Sequence, residues 1–363
     1  MRVEITIIWI GLAFHLSDGF LVGSFGAQKS SRSINCFTEE STKVVKEMTD
    51  TVPTNKTKTT MEKSDIVRNF RAASGTSRIY RCANTDGLGS LFEDQVPIIR
   101  ADTPESIILN RSQLILDLRS PSERNDMLAQ LWMFNAPGEK IEIITYDRAK
   151  VDTSQQMILS HERCVLRIDM LSPTRLFDYL EKNWISGPIE TAQYSFNYAF
   201  DSKKLHEIRM EIMNEKGLPG LYEAMIETSG PEILVALQAI TIKLETKSGD
   251  IIIHCVQGKD RTGLLIMLCQ AILGMNDEEI IKDYHASDRM MRREGSAASD
   301  SISGSKGKLN RNVFSGAPKE AMAKTLKKIR TNHVSINGYL DSIGFDTNWR
   351  QRFITASSLR NKL

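Results

Sequence analysis

The sequence IIIHCVQGKDRTG at residues 251–263 runs directly into the apolar segment LLIML at 264–268. An apolar β-branched run, a glycine-containing turn and a second apolar run predict a buried strand, a loop and the start of a buried helix. Such a helix start has backbone N–H groups without partners and a partial positive charge. The stretch therefore predicts an anion-binding loop, and phosphate or sulfate fits a loop of this kind.

Two side chains suit this loop to phosphate binding and nucleophilic attack. Cys255 and Arg261 stand at its two ends with five residues between them. The planar fork of an arginine matches phosphate in a bidentate fashion, and the same N–H donors stabilise a thiolate, the nucleophilic form of cysteine. The loop does not fit the nucleotide P-loop pattern, because Asp260 follows Lys259 where that pattern requires Ser or Thr. The pattern predicts a thiolate poised beneath a bound phosphate.

The loop resembles the signature loop of the protein tyrosine phosphatase superfamily, because Cys255 is followed after five residues by Arg261 and Thr262. The fuller form, HCxxGKDRTG, resembles the tyrosine phosphatase family that includes bacterial secreted phosphatases acting on phosphotyrosine and phosphoinositides. The resemblance runs from about Ser64 to about Thr355, although AASG at 72–75 departs from the family's DxGG. Its other motifs are NFR at 69–71 and IYRCA at 79–83 (family NFR…lyRS), ILDLRS at 115–120 (iDLRs), DYHAS at 283–287 (DYxxS), and VSI at 334–336 with YL at 339–340 (gsxxxYL).

The hydrophobic pattern and the resemblance lead to one fold class, an α/β fold of the tyrosine phosphatase type. Apolar runs alternate with helical patterns, which predicts a short, mostly parallel central sheet flanked by helices. The predicted strands are 113–118, 141–145, 164–168 and 251–254, and the predicted helices are 203–215, 220–228, 231–247, 276–287 and 318–333. The resemblance implies a helical lid within 185–230, while the alternative is that its aromatic residues fill a second core. The Ser/Gly/Lys-rich stretch 295–316 predicts a flexible surface loop.

The family chemistry assigns a role to each loop residue. Cys255 attacks phosphorus and forms a phosphocysteine, while Thr262 donates its hydroxyl to the thiolate and His254 braces the loop from behind. Arg261 and the backbone amides of 256–261 hold the phosphoryl oxygens. The predicted phosphate-binding residues are Val256, Gln257, Gly258, Lys259, Asp260 and Arg261. This chemistry requires neither a metal nor another cofactor.

A general acid must protonate the leaving oxygen, and it must come from another loop. Asp169 is the first candidate, because it follows the predicted strand 164–168 and so lies at the same sheet edge as the Cys255 loop. Its position also resembles that of the family's acid, although it can instead cap a helix that begins near Pro173. Asp260 is the second candidate, or it pairs with Lys259 or caps the following helix.

Lys259 is informative about the substrate, because a lysine at this position resembles phosphoinositide-cleaving relatives. Val256, however, occupies the position where a second lysine would strengthen the prediction of a phosphoinositide substrate. The expected partner is a phosphorylated protein or a phosphoinositide. The expected function is a cysteine-dependent phosphatase that hydrolyses phosphate monoesters. A phosphate-binding pseudophosphatase module without turnover is the alternative.

Composition excludes several other classes of protein. A net charge of +2 over 363 residues gives no basic field for nucleic acid. Five cysteines are an odd number and form no CxxC pair, which argues against a disulfide framework and against a zinc site. The sequence thus favours a catalytic protein with a reduced cysteine.

The N-terminal region predicts targeting. The predicted organisation of the chain is a signal peptide at 1–19, a transit-like or disordered linker at 20–63, a catalytic domain at 64–357 and a tail at 358–363. An apolar run behind Arg2 and small residues near Gly19 predict entry into the secretory pathway. Secretion and delivery to a plastid by a bipartite signal are both compatible with this pattern, and the protein is cytoplasmic if the run is instead a docked helix. No membrane span is expected after signal removal.

Overall fold

The computed structural model describes residues 67–86, 88, 104, 107–124, 141–150, 163–246, 249–292 and 308–358. Their centre is a six-stranded sheet in the order β1-β2-β6-β3-β5-β4. Every neighbouring pair is parallel except β1 with β2, so the predicted mostly parallel sheet is confirmed. The strands are β1 Arg71–Ala72, β2 Ile79–Cys82, β3 Ser112–Asp117, β4 Ile141–Thr145, β5 Arg163–Arg167 and β6 Asp250–His254.

The helices flank this sheet, and all the α-helices of the described residues follow β5 along the chain. The two predicted helices at 203–215 and 220–228 form one run that is kinked at Gly217, where φ is 59°, just before Pro219. The helices are α1 Pro173–Trp184, α2 Pro188–Phe200, α3 Ser202–Thr228, α4 Gly230–Glu245, α5 Asp260–Ile272, α6 Asp277–Arg292, α7 Arg311–Phe314, α8 Lys319–His333, α9 Ile336–Ser342 and α10 Thr347–Ser358.

The two faces of the sheet bury different parts of the chain. Ile251 and Ile253 of β6 point into the large core that includes residues of α1, α3, α4, α5 and α8. Ile252, between them, belongs to a smaller cluster with Ile115 and the π-helical turn Ile107–Arg111. Because successive side chains of a strand face opposite sides, a continuous apolar run such as β6 suits a strand covered on both faces.

Pairing continues past the strand ends and aligns one edge of the sheet. The Leu118 N–H donates to His254 O at 2.9 Å, and the Ile168 N–H donates to Asp117 O at 2.9 Å. Cys255 and Asp169 are the next residues after His254 and Ile168. The carboxyl ends of β6, β3 and β5 therefore lie level, which places both predicted catalytic residues at the edge where α/β folds bind ligands.

The structure corrects one prediction, and several other predictions concern residues that it does not describe. The flexible surface loop predicted at 295–316 is wrong for 308–316, because Leu309 and Phe314 are 7% and 3% exposed and pack in the core. The signal peptide at 1–19, the segment 20–63 and the tail from 359 onward lie outside the described residues. No helix among the described residues combines the length and the apolar character that crossing a bilayer requires.

The predicted lid region is helical, as α2 and α3. Tyr194 of α2 is buried, and its hydroxyl accepts a hydrogen bond from Arg209 Nε at 2.9 Å. The Arg209 guanidinium in turn lies 4.3 Å from the ring centre of Phe177 in α1. Phe196 and Phe200, by contrast, are 62% and 77% exposed, so the aromatic residues of α2 do not all fill a second core. Closure of these helices over the site stays a prediction.

The turn that leads into β6 gives a test of the packing. Gly249 and Gly274 both have positive φ, at 64° and 80°, but a Cβ on Gly249 would lie 2.7 Å from Arg111 O, whereas one on Gly274 meets nothing within 4 Å. We expect Gly274→Ala to lower the free energy of unfolding by about 1 kcal/mol, the cost of left-handed backbone alone. Gly249→Ala should cost about 1–3 kcal/mol more, because the backbone around the added methyl must move. Urea unfolding of both variants measures this difference, and equal losses would contradict it.

Candidate active site

The Cys255 loop joins β6 to α5 and is folded around Gly258. This glycine has φ of 63°, and a Cβ there would overlap the backbone carbonyl of Cys82 on the neighbouring strand. Only a residue without a side chain satisfies both the left-handed conformation and this close approach. The loop is therefore packed directly against the end of β2.

Hydrogen bonds from behind orient the peptide groups of the loop. Asn69 Nδ2 donates to Gln257 O at 3.2 Å and to Gly258 O at 2.9 Å, and Arg81 Nη2 donates to Gly258 O at 2.8 Å and Lys259 O at 3.3 Å. In a planar trans peptide the N–H points opposite to the C=O. With these carbonyls held at the back, the N–H groups of residues 258–260 are directed to the other side. The Gly258 N–H accordingly donates to Cys255 Sγ at 3.2 Å.

The two residues behind the loop are themselves fixed. Arg81 is fully buried, and its Nη1 lies 3.0 Å from Asp283 Oδ2. Arg71 donates to Asp283 O at 2.7 Å and to Asn69 Oδ1, which sets the direction of the Asn69 amide. The opening segment thus reaches the site although its sequence departs from the family pattern after Arg71. Sequence reasoning matched Asn69 and Arg81 to motifs but assigned them no role.

Cys255 differs from the other cysteines of the described chain in its surroundings. All four described cysteines are buried and free of disulfides. Burial raises the pKa of the Cys269 thiol to about 12 and moves the pKa values of Cys82 and Cys164 above the ordinary value, so these stay protonated at neutral pH. Cys255 Sγ instead accepts a hydrogen bond from the Gly258 N–H at 3.2 Å, in the loop that leads into the N-terminal end of α5.

Arg261 is held by a carboxylate that the sequence analysis missed. Its Nη1 and Nη2 lie 2.6 and 3.0 Å from Glu123 Oε2 and Oε1, and Nη1 also donates to Leu118 O at 3.3 Å. This pairing uses the end of the guanidinium. The edge formed by Nε and the second Nη2 hydrogen has no hydrogen-bond partner among the described residues. That edge can donate two parallel N–H groups to phosphate oxygens.

A local signal for Glu123 was present in the sequence. Ser120-Pro121-Ser122-Glu123 has the S-x-x-E spacing of a capping box. Glu123 Oε2 accepts hydrogen bonds from the Ser120 N–H at 2.8 Å and from Ser120 Oγ at 3.0 Å. The box aims the carboxylate at Arg261, which lies far along the chain, so the spacing predicts the turn but not its partner.

His254 and Thr262, at the two ends of the loop, differ in their hydrogen bonding. His254 is fully buried, with Nδ1 at 3.4 Å from Cys255 O and Nε2 at 4.0 Å from Asp117 Oδ1. This position fits the predicted brace behind the loop. Thr262 is also fully buried, but its hydroxyl has no hydrogen-bond partner among the described residues. The predicted hydrogen bond from Thr262 to the sulfur is thus not formed in this structure.

Asp169 has the environment of an acid. Its Oδ1 accepts the Leu171 N–H at 3.2 Å, and its side chain is partly exposed at the sheet edge. Burial raises the pKa of the Asp169 carboxyl above its ordinary value, against the opposing effects of Arg175, Arg261 and Arg124. The mutual effect of Asp169 and Arg261 places the carboxyl within electrostatic range of the loop. A raised pKa favours the protonated carboxyl, which is the form that a general acid needs.

Asp260 is engaged in a different network. The Tyr222 hydroxyl lies 2.7 Å from Asp260 Oδ1 and 2.7 Å from the Tyr284 hydroxyl. Because a carboxylate accepts and each hydroxyl has one proton, Tyr284 donates to Tyr222, which donates to Asp260. Asp260 is also 3.5 Å from Lys259 Nζ and is the first residue of α5. The alternative in which Asp260 pairs with Lys259 therefore matches the structure, whereas the alternative in which Asp260 caps the helix is wrong, because Lys259 is the N-cap of α5.

The site holds phosphate donors but no cluster of metal ligands among the described residues, where no group of three His, Cys, Asp or Glu side chains is arranged to bind an ion. An inward-facing set of amides, a guanidinium edge and a thiol sulfur at their centre can bind a tetrahedral oxyanion. The arrangement can also stabilise the trigonal charge that develops when sulfur attacks phosphorus.

His254 gives a pH prediction. Burial lowers the pKa of His254 to about 4, against the opposite effect of Asp117. An unfolded histidine has a pKa of about 6.5, so between these values the unfolded chain binds a proton that the folded chain does not, and stability falls as pH is lowered. For the wild-type protein, the free energy of unfolding should fall by about 3 kcal/mol in total, because each pKa unit corresponds to about 1.4 kcal/mol. Urea titrations from pH 7.5 to 4.5 should show a shallower loss for His254→Asn, whereas parallel curves would contradict the assignment.

The comparison with known proteins agrees with this geometry. A model of the tyrosine phosphatase family matches residues 108–356, which include the Cys255 loop, Glu123 and Asp169. No curated protein matches the chain significantly. Since the matched segment covers more than half of the 363 residues, the chain belongs to the tyrosine phosphatase family.

Proposed function

We propose that this protein hydrolyses phosphate monoesters, phosphotyrosine or phosphoinositide, through a phosphocysteine intermediate on Cys255. Family membership supports phosphatase activity in general. The observation that carries the finer proposal is the Cys255 sulfur lying 3.2 Å from the Gly258 N–H, at the centre of amides whose carbonyls are bound behind the loop.

In the first step, the Cys255 thiolate attacks phosphorus while the bond to the leaving oxygen breaks. The loop amides and the free edge of Arg261 hold the three other oxygens, and Asp169 gives its proton to the leaving oxygen. In the second step, a water attacks the phosphocysteine, and the Asp169 carboxylate accepts a proton from that water. Inorganic phosphate leaves, and the thiolate and the protonated acid are restored.

The cysteine mechanism has a matched test within the chain. Cys255→Ser should lower kcat on an aryl phosphate to background, because an un-ionised hydroxyl lacks the thiolate's nucleophilicity. Cys269→Ser, another buried cysteine but on the body of α5, should keep wild-type kcat per folded protein. Both are assayed under reducing, chelator-treated conditions. Wild-type activity in Cys255→Ser would refute the mechanism, and inactive wild-type protein that still binds inorganic phosphate would favour a pseudophosphatase.

The two acid candidates can be separated by leaving group. Phenols such as tyrosine, with a pKa of about 10, need protonation on departure, and general acids contribute about 10²–10⁴-fold. Asp169→Asn should therefore lower kcat by about 10² or more on phosphotyrosine but far less on a nitrophenyl phosphate. It should also remove the fall in kcat at high pH that loss of the acid's proton causes. Asp260→Asn should change both substrates equally, and the reverse pattern would assign the acid to Asp260.

A further inference from the structure

The loop between β5 and α1, which we call the acid loop, consists of residues 169–172 and is held at two of its carbonyl groups by side chains outside it. Arg175 Nη2, from the first turn of α1, donates to Asp169 O at 2.7 Å. Ser229 Oγ, from the junction of α3 and α4, donates to Met170 O at 2.8 Å, and this serine is buried. Both hydrogen bonds act on the backbone of the acid loop, so they fix its position without using the Asp169 carboxyl.

The Arg175 guanidinium is itself positioned by a buried carboxylate. Arg175 Nη1 lies 3.5 Å from Glu232 Oε1, and Glu232, in the first turn of α4, is only 2% exposed. Arg148, in the turn after β4, donates to the same carboxylate from Nε at 2.6 Å and from Nη2 at 2.5 Å. Three elements therefore meet at Glu232, and the acid loop is held to them through Arg175.

Packing alone does not explain why charged groups occupy this junction. Burial lowers the pKa of Arg175, which shows that its charge is costly to desolvate, and ion pairs of this kind often only offset that cost. Apolar side chains would hold α1 against α4 without it. What Arg175 adds is a donor for the acid loop and a positive charge beside the Asp169 carboxyl.

The charge of Arg175 acts on the proton of Asp169. Burial raises the pKa of the Asp169 carboxyl, and Arg175 has the largest of the opposing effects, ahead of Arg261. The charged groups that interact with this carboxyl come from four places around it, namely Arg175 of α1, Arg261 of α5, Arg124 after β3, with Arg167 of β5 near it, and Arg148 after β4. Among these, Arg175 is the one that also bonds to the backbone of the acid loop.

We propose that Arg175, held by Glu232, is a positioning residue for the general acid, and that it fixes the acid loop so that Asp169 stays at the sheet edge that carries the Cys255 loop. This inference rests on the proposed phosphatase function and adds two residues to its mechanism. Ser229 and Glu232 lie where α3 ends and α4 begins, so the acid loop is also joined to the predicted lid region. A loop fixed in this way does not have to be ordered at each turnover, which lowers the barrier to proton transfer.

Two substrates separate a positioning role from a general loss of structure. Arg175→Met leaves Glu232 paired with Arg148, so the variant should fold. It should lower kcat about tenfold on a phosphotyrosine peptide, whose leaving group needs a proton, and less than about twofold on a nitrophenyl phosphate, with KM unchanged. Arg175→Lys keeps a donor and the charge and should recover most of the lost kcat. Equal losses on the two substrates would overturn the proposal.

A double-mutant cycle shows whether Arg175 acts through Asp169. In an Asp169→Asn background, Arg175→Met should change kcat on the peptide by less than about twofold, because the group that Arg175 positions is already lost. With Asp169 intact, removal of the neighbouring cation raises the pKa of the carboxyl, so the fall in kcat at high pH should move to higher pH in Arg175→Met. A tenfold loss that persists in the Asp169→Asn background, or an unmoved pH profile, would contradict the proposal.

Arg350 of α10 provides a matched control, and amide hydrogen exchange provides a readout without turnover. Arg350 Nη1 also pairs with a carboxylate, Asp341 Oδ1 at 2.6 Å, and donates to a backbone carbonyl, Phe345 O at 2.8 Å. Arg350→Met should keep wild-type kcat on both substrates per folded protein. The acid loop should exchange faster in Arg175→Met but not in Arg350→Met. Unchanged exchange in Arg175→Met would overturn the positioning role, whereas an inactive wild type whose acid loop is loosened by Arg175→Met would fail only the phosphatase proposal.

Discussion

The site depends on the hydrogen bonds that fix the carbonyl groups of the loop from behind. Three consecutive carbonyls, those of residues 257–259, are bound by Asn69 and Arg81. Peptide planarity then fixes the direction of the next three N–H groups without any contact on the anion side. A cradle formed in this way needs no anion to organise it, which is the preorganisation that electrostatic catalysis requires.

Buried charge around the site serves geometry more than stability. Arg81, Arg119 and Arg261 are all nearly inaccessible, and each pairs with a carboxylate, namely Asp283, Asp117 and Glu123. Desolvating such pairs costs free energy that their attraction often only offsets. Their value here is that each carboxylate fixes a guanidinium. For Arg261, Glu123 occupies one end of the group and leaves the other edge able to donate to an anion.

The sequence predicted those features of the site that depend on residues close together in the chain. The run 251–263 contains the strand, the loop and the helix start in order, and the structure keeps all three in place. The position of Asp169 followed from strand order at one sheet edge. The supports of the loop could not be predicted, because Asn69 and Gln257 are 188 residues apart and no local pattern pairs them. Glu123 had a local signal for its turn, but its partner Arg261 is 138 residues away.

Lys259 shows why a residue type within a motif does not determine its role. A cation at a helix N-terminus opposes the helix dipole, so its charge needs compensation that the helix itself cannot give. Phe314 O and Asp260 provide that compensation, and Asp260 is in turn bound by Tyr222 from α3. The positive end of α5 is thereby kept for the anion that enters the cradle. The neighbouring lysine instead joins the loop to Phe314 at the end of α7, and through Tyr222 the same end of the loop is joined to the kinked helix α3.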